Sequence, residues 1–417
     1  MSLIKELKAR GLVHQITHEK ELEDKLNTMP VTLYCGFDPT AESLHIGSLL
    51  PLITLLRFKN AGHNIIPLVG GATGMIGDPS GKSEERVLNT TDTIELFKKG
   101  IVSQIENVVG AQCVDNLSWI SQIDMITFLR DFGKHFTVNS MLSKESVKQR
   151  VDREDQGISF TEFSYMLIQS MDFLKLNQNH NCTLQIGGSD QWGNITAGTD
   201  LIRKSMGSKV EAFGLTFPLI TNSEGKKFGK TESGAVWLDP NKTTPFTFFQ
   251  FWLKTTDADV YSLLRFFSMR SVEEIENIEK TDKESNSKPL AQQLLAEEMT
   301  RLVHGEEGLE STLRITEALF SSNFSKLSLE DFMQLENDGM ECLSLEEDGM
   351  ALIDVVVKGD LAKSKRQAKE FILNGAIELN GGKELSPDKM IDKTVLLLNK
   401  FAVLKRGKRN FALLKVK

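Results

Sequence analysis

The stretch VTLYCGF at residues 31–37 constrains the fold more than any other part of the chain, because it is an apolar, β-rich run that ends in a glycine, Gly36. Beyond a loop, Leu49, Leu52, Ile53, Leu56 and Phe58 recur at helical spacing until Gly62, and NIIPLVGG at 64–71 is a second buried-type strand with glycines at its end. Strand, helix and strand in that order form a βαβ unit, and such units build a parallel sheet. CTLQIGG at 182–188 repeats the apolar run ending in Gly-Gly and leads into helical spacing from Gln191 to Arg203. The predicted class is therefore α/β, with glycine loops gathered at the carboxyl ends of the strands, where open sheets of this kind bind ligands.

The chain is too long, at 417 residues, for one ordinary domain. Hydrophobic residues make up 40% and charged residues 25%, a globular composition that excludes wholesale disorder. No apolar run approaches the length of a bilayer span, and MSLIKELKARGLVHQ has neither a signal-peptide core nor a basic transit pattern, so a cytoplasmic protein is expected. Cys35, Cys113, Cys182 and Cys342 are far apart and contain no CxxC pair, which predicts neither a disulfide framework nor a metal held by cysteine.

Charge divides the chain. From Lys358 to Lys417 there are fifteen Lys and Arg against six Asp and Glu, a balance of +9 that leaves −17 for the rest of a chain whose net charge is −8. A basic module on an acidic body fits a polyanionic partner whose phosphates would supply salt-sensitive affinity. Within the module, LAKSKRQAKEFILNG predicts a basic helix ending at Gly375, and AIELNGGKEL a hairpin turning at Asn380-Gly381-Gly382. From about 245 to 325 the spacing is helical and charged, and residues 326–350, with eight acids against one lysine, read as an acidic linker with some helix.

Three stretches carry candidate chemistry. SLHIGSLLP at 43–51 opens the helix after the first strand, where free N–H groups and the helix dipole favour phosphate, with Asp38, Pro39 and Thr40 just before it. NSEGKKFGKTESG at 222–234 and VGGATGMIGDPSGKSEER at 69–86 are glycine-rich loops bearing Lys226, Lys227, Lys230, Thr231, Lys82 and Arg86, which can neutralise a polyphosphate leaving group. No Walker A loop is present. In FTEFSYMLIQSMDF at 160–173 apolar residues surround the helix, yet Tyr165, Gln169 and Asp172 form a polar stripe along it. Buried polar groups need partners, so the stripe either satisfies itself inside the core or lines a pocket for a small polar ligand, for which a phenol carrying an ammonium group is well suited.

Taken together, LYCGFDPTAESLHIGSL, VGGATGMIGDPSGK, FTEFSYMLIQSMDF, QIGGSDQWGNITAG and KFGKTESG closely resemble, in order, the bacterial-type tyrosyl-tRNA synthetases of class I, and the resemblance extends over essentially the whole chain. HIGS is similar to the "HIGH" signature (here 39–48) and KFGKT to the "KMSKS" loop (227–231). The resemblance implies a Rossmann-like parallel-sheet catalytic domain over 1–235, an α-helical anticodon-recognition domain over 236–325, the acidic linker 326–350, a small α+β RNA-binding module of ribosomal-protein type over 351–417, and a homodimer. The implied activity joins L-tyrosine to ATP as tyrosyl-adenylate, releases pyrophosphate, and transfers tyrosine to the 3′-terminal adenosine of tRNA(Tyr). ATP would come with Mg2+ as substrate, with no protein-held metal.

The resemblance assigns the substrate phenol to Tyr34 and Asp172, its ammonium group to Asp78, Tyr165 and Gln169, and its carboxylate or the α-phosphate to Gln191. It places Gly47 and the backbone near Leu219 on the adenine, Cys35, Gly188 and Asp190 on the ribose, and Thr40 and His45 on the terminal phosphate, with Gly36 and Asp38 also at the ATP site. Lys82, Arg86, Lys227, Lys230 and Thr231 would arrive with the loops. Ser48 stands where the family has its second histidine and implies a ribose contact through a shorter hydroxyl. In the basic module, RNA contacts are expected from Lys363, Lys365, Arg366, Lys369, Lys405, Arg406, Lys408 and Arg409. A tryptophanyl-type synthetase, which would need no Tyr and Asp pair for a phenol, and an RNA-binding protein on a synthetase scaffold are the competing readings.

Overall fold

Six strands form the sheet that positions the site: β1 (Gln15–Ile16), β2 (Thr32–Phe37), β3 (Asn64–Val69), β4 (Val114–Asp115), β5 (Cys182–Gly188) and β6 (Phe213–Phe217). The computed structural model describes residues 2–80, 88–151, 157–221, 228–231, 234–284, 289–346 and 349–416. The strand order is β1-β6-β5-β2-β3-β4, with β1 antiparallel to β6 and all other neighbours parallel. The chain builds outward from β2 to β3 and β4, then returns to the other side of β2 for β5 and β6. The strand order therefore reverses between β2 and β5, and a crevice opens at their carboxyl ends.

The expected βαβ unit is present: β2 and β3 pair in parallel with Tyr34 opposite Ile66, joined by helix α1 (Leu49–Asn60). Nearly every residue of α1 from Leu49 to Phe58 is buried, which explains why apolar residues dominate the whole helix and not one face of it. Helices α2 (Thr91–Val109), α3 (Phe160–His180) and α4 (Trp192–Met206) complete the layer architecture. Phe173, Leu174 and Leu176 of α3 pack with Leu68, Cys182, Leu201 and Ile202 in one core cluster that also contains Tyr34.

The chain forms two compact units, one of Met1–Asp239 with Thr255–Leu295 and the other of Pro240–Lys254 with Ala296–Lys417. In the second unit a five-stranded sheet runs in the order 382–383, 377–379, 401–406, 410–416, 341–345, and only the last pair is parallel. The acidic stretch is structured at both ends of its charge run, with helix Leu329–Asn337 and the edge strand Glu341–Leu345. The expected hairpin is present and turns at Asn380 (φ +49°) and Gly381 (φ +87°), while Gly382, expected in the turn, already pairs with Leu379 in the returning strand. Phe401, Val403 and Leu413 of this sheet share a core with Ile315, Phe324, Phe332 and Leu335. No helix among the described residues is long and apolar enough to cross a membrane.

Candidate active site

The carboxyl ends of β2 and β5 open into a cavity of about 340 Å³. Of the residues assigned from sequence, Tyr34, Cys35, Gly36, Asp38, Thr40, Asp78, Tyr165, Gln169, Asp172, Gly188, Asp190 and Gln191 line it. Strand β2 supplies Tyr34 to Gly36, strand β5 supplies Gly188, and helix α3 turns its polar stripe inward. The stripe is thus no self-satisfied core feature. Each of its three members bonds to a different chain segment, and all three face the same space.

Asp172 is 1% exposed and its two oxygens accept from Asn116 Nδ2 at 2.9 Å and Trp119 Nε1 at 2.8 Å. Burial raises its carboxyl to about 7, against the pull of those two donors, with the charges of Asp38 and Asp115 adding to the rise. Tyr165 donates its hydroxyl to Asp38 Oδ2 at 2.7 Å, while Thr73 donates to Asp38 Oδ1 at 2.6 Å. Burial and the neighbouring Asp38 charge hold the Tyr165 phenol well above its ordinary value, so it is a donor at neutral pH. Gly70 is required here, since a Cβ at that position would lie 2.0 Å from Asp38 Oδ1.

At the other end, Gln191 Nε2 donates to Asp78 Oδ2 at 2.6 Å and Gln169 Nε2 donates to Gln191 Oε1 at 3.2 Å. Asn194 joins this relay by donating to Gln169 Oε1 at 3.1 Å. Among the described residues the Tyr34 hydroxyl has no hydrogen-bond partner although the residue is 1% exposed, and burial followed by the Asp172 charge pushes its phenol well above the ordinary range. Burial likewise raises the Cys35 thiol to about 12, leaving a neutral weak donor.

Asp38, expected on ATP, is turned onto Tyr165 and Thr73. His45, Gly47, Ser48 and Leu219 do not line the cavity. His45 Nδ1 accepts from Gly47 N at 3.0 Å and caps the turn Ile46–Ser48, and Ser48 begins α1 without a side-chain cap bond. Leu219 lies over Gly188, 3.3 Å from where that glycine's Cβ would stand. Lys82, Arg86, Lys226 and Lys227 lie outside the described residues, and only the backbone of Lys230 and Thr231 is described. Among the described residues no group of three or more His, Cys, Asp or Glu is placed to hold a metal ion.

Sequence reasoning missed Thr73, Asn116, Trp119, Asn194 and Gln185. Gln185, opposite Tyr34 in the β2–β5 register, lines the cavity with its Oε1 buried and without a partner among the described residues. Its signal was available in CTLQIGG, where a carboxamide interrupts an apolar strand.

In the basic module, Lys363, Lys365, Arg366, Lys369, Lys408 and Arg409 are exposed. Lys405 and Arg406 are set apart from them. Lys405 is 8% exposed, bonds Ser322 Oγ at 2.5 Å and pairs with Glu378 at 3.7 Å, while Arg406 donates to Leu361 O at 2.6 Å and stacks on the Phe371 ring. Neither presents its charge outward as the others do.

A parallel α/β sheet with a polar crevice at the carboxyl ends of its central strands is the setting of a nucleotide-type site, and the chain belongs to the tRNA synthetases class I (W and Y), whose family model matches residues 26–321. A second model, for the Tyrosine--tRNA ligase SYY-like C-terminal domain, matches residues 331–414. The chain is 55% identical to the tyrosine–tRNA ligase of Aliivibrio salmonicida over 99% of its own length and 98% of that protein's, and 52% identical to that of Chromobacterium violaceum over the same shares. Among solved structures, a C-terminally truncated Aspergillus nidulans mitochondrial tyrosyl-tRNA synthetase is 29% identical with a TM-score of 0.69, covering 76% of this chain and 94% of that one. Within the class, the chain is a tyrosine–tRNA ligase.

Proposed function

We propose that the cavity seats L-tyrosine with its phenol between the Tyr34 hydroxyl and Asp172, its ammonium group toward Asp78, Tyr165 and Gln169, and its carboxylate near Gln191. The observation that carries this reading is the Tyr34 hydroxyl, buried and without a partner among the described residues, in the cavity that Asp172 also lines. A phenol supplies both a donor for the carboxylate and an acceptor for Tyr34. Phenylalanine would leave both groups unpaired in a dry pocket, which is the physical basis for rejecting it.

The enzyme activates tyrosine with ATP and then charges tRNA(Tyr). Activation needs no general base, because the substrate carboxylate is already a nucleophile at neutral pH. It attacks the α-phosphorus, the bond to the bridging oxygen breaks, and pyrophosphate carries away the electron pair. The protein contributes in-line positioning and stabilisation of the leaving charge. Cys35, Gly188 and Asp190, which line the cavity, take the ribose, and Thr40, which also lines it, meets the terminal phosphate; Gly47 and Leu219 are assigned to the adenine and His45 to the terminal phosphate on sequence resemblance alone. Lys82, Arg86, Lys227, Lys230 and Thr231 are assigned to the pyrophosphate on sequence resemblance alone, and Ser48 to a ribose contact on the same ground. Mg2+ enters on the ATP phosphates and screens their charge.

The chain works as a homodimer in the cytoplasm, with a Rossmann-like catalytic domain, a helical anticodon-recognition domain and a C-terminal RNA-binding module. Support for the dimer comes from the exposed apolar residues Met125, Ile126, Leu129, Val138 and Phe160 in the first unit. ATP–pyrophosphate exchange measured with each amino acid in turn tests the site: exchange depends on tyrosine, and dependence on tryptophan alone, or on no amino acid, overturns the reading.

A further inference from the structure

Asp172 owes its orientation to Asn116 and Trp119, and both belong to one short segment that follows β4. That segment is fixed from outside the cavity. Asp115, the last residue of β4, accepts the N–H of Leu117 on Oδ1 at 2.9 Å and, through its carbonyl, the Ser118 hydroxyl at 2.7 Å, which opens the helix Leu117–Ile120. Its carboxylate also lies flat against the loop after β3, because a Cβ on Gly71 would come within 2.3 Å of Asp115 Oδ1. The other oxygen, Oδ2, accepts from Lys98 Nζ on α2 at 2.7 Å. Lys98 also reaches Glu95 at 2.5 Å, and its side chain is 17% exposed against 30% for Asp115 and 41% for Glu95. Neither Lys98 nor Asp115 lines the cavity.

We propose that Lys98 and Asp115 form a positioning pair for phenol recognition: they hold the 115–119 segment so that Asn116 and Trp119 aim their donors at Asp172. The pair acts through other residues and touches no substrate. Its geometry suits that task, since a partly desolvated charge-assisted bond is directional and resists exchange with water better than a surface pair does. Lys98 has a second effect on the same carboxylate. Asp172 faces Tyr34 from β2, Asp38 from the end of β2, Asp115 from the end of β4 and Tyr165 from its own helix, and the charges of Asp38 and Asp115 both oppose its ionisation. The Lys98 ammonium offsets the Asp115 share.

This inference rests on the seating of the phenol at Asp172 proposed above, and the experiment separates the two. ATP–pyrophosphate exchange is measured with tyrosine and phenylalanine for Lys98→Met, Lys98→Arg, Asp115→Asn and Glu95→Gln, with Asp172→Asn beside them. Lys98→Met raises KM for tyrosine by roughly tenfold, in line with the cost of misplacing a binding group by a fraction of an ångström. It leaves KM for ATP unchanged and lowers the preference for tyrosine over phenylalanine. Lys98→Arg restores both, and Glu95→Gln alters neither. Asp115→Asn, which keeps an oxygen for Leu117, also raises KM for tyrosine. The acid limb of kcat/KM for tyrosine moves to higher pH in Lys98→Met and to lower pH in Asp115→Asn, opposite shifts that a generally loosened fold does not produce. If Asp172→Asn abolishes activation while Lys98→Met and Asp115→Asn keep the wild-type KM and preference, the positioning role is wrong and the seating survives. A parallel loss of affinity for tyrosine and ATP also overturns it. If Asp172→Asn activates tyrosine normally, the seating fails and the positioning role fails with it.

Discussion

Gln191 donates its side-chain amide to Asp78 Oδ2 at 2.6 Å, so the carboxylate assigned to the substrate ammonium is already oriented from the strand-end loop that follows β5. Asp78 Oδ1 accepts the Ser80 N–H at 2.9 Å, which fixes the second oxygen. An ionised carboxylate has lone pairs beyond these two bonds and can take a further donor without losing either. Asp78→Asn removes the charge and leaves the shape. KM for tyrosine then rises by roughly ten- to a hundredfold, the range set by losing a hydrogen bond to a charged group. Inhibition by 3-(4-hydroxyphenyl)propionate, which lacks the ammonium group, stays the same. Equal weakening of that inhibitor would place Asp78 elsewhere on the substrate.

Tyr34→Phe separates stability from selectivity. The hydroxyl is buried and unpartnered, so its removal relieves a desolvation cost on the order of 1 kcal/mol, and the variant unfolds at higher urea concentration. The ring remains in contact with Phe173, its centroid 5.4 Å away, and the core is kept. Selection against phenylalanine falls by roughly tenfold, because one of the two groups that phenylalanine would strand is gone. Exchange assays with both amino acids, alongside urea titration, read the two effects. A less stable variant with full selectivity would show that the hydroxyl serves the fold.

The Asp172 carboxyl at about 7 makes tyrosine use pH-dependent. Burial favours its neutral form in the free enzyme, whereas a phenol donating to it favours the ionised form. Affinity for tyrosine therefore increases as pH rises through about 7, and kcat/KM for tyrosine carries an acid limb there that KM for ATP does not share. Asp172→Asn has no such limb and little activity. A flat profile between about pH 6 and 8 in the wild type would mean that the phenol is bound by a group already ionised throughout that range.

How far this site could be read from sequence depended on whether each residue's role was local. The β2–α1–β3 unit was legible because apolar runs of strand, helix and strand length follow one another, with Gly62 just beyond the helix, although β2 passes through Gly36 to Phe37. Tyr165, Gln169 and Asp172 were legible because polar groups on a buried helix are costly and demand an explanation. Asn116 and Trp119 were not, since β4 is only Val114–Asp115 and no alternation can be seen in two residues. Their importance comes from reaching Asp172 across more than fifty residues, which periodicity does not encode. Lys405 shows the opposite error. Its charge was counted with the exposed cations of the tail, but its strand places it under the end of another helix, where Ser322 and Glu378 hold it.

That distinction between exposed and held cations makes the last prediction. Lys363, Lys365, Arg366 and Lys369 are exposed at and before the helix Lys365–Leu373, and of these Lys365 pairs with Asp354 at 2.5 Å. If they contact phosphates, replacing all four with alanine weakens tRNA binding and flattens its dependence on salt, by up to roughly 3 in the slope of log K against log salt concentration. Tyrosine-dependent pyrophosphate exchange stays at the wild-type rate, because the first unit is untouched. Lys405→Ala behaves differently. It strips Glu378 of its ion pair beside a core built on Phe401, Val403 and Leu413, so it lowers the thermal stability of the second unit and leaves the salt slope as it was. Filter binding of tRNA across a salt series, with thermal unfolding of the same proteins, reads both. A slope that falls for Lys405→Ala and persists in the fourfold variant would transfer the RNA contact to the strand and remove it from the helix.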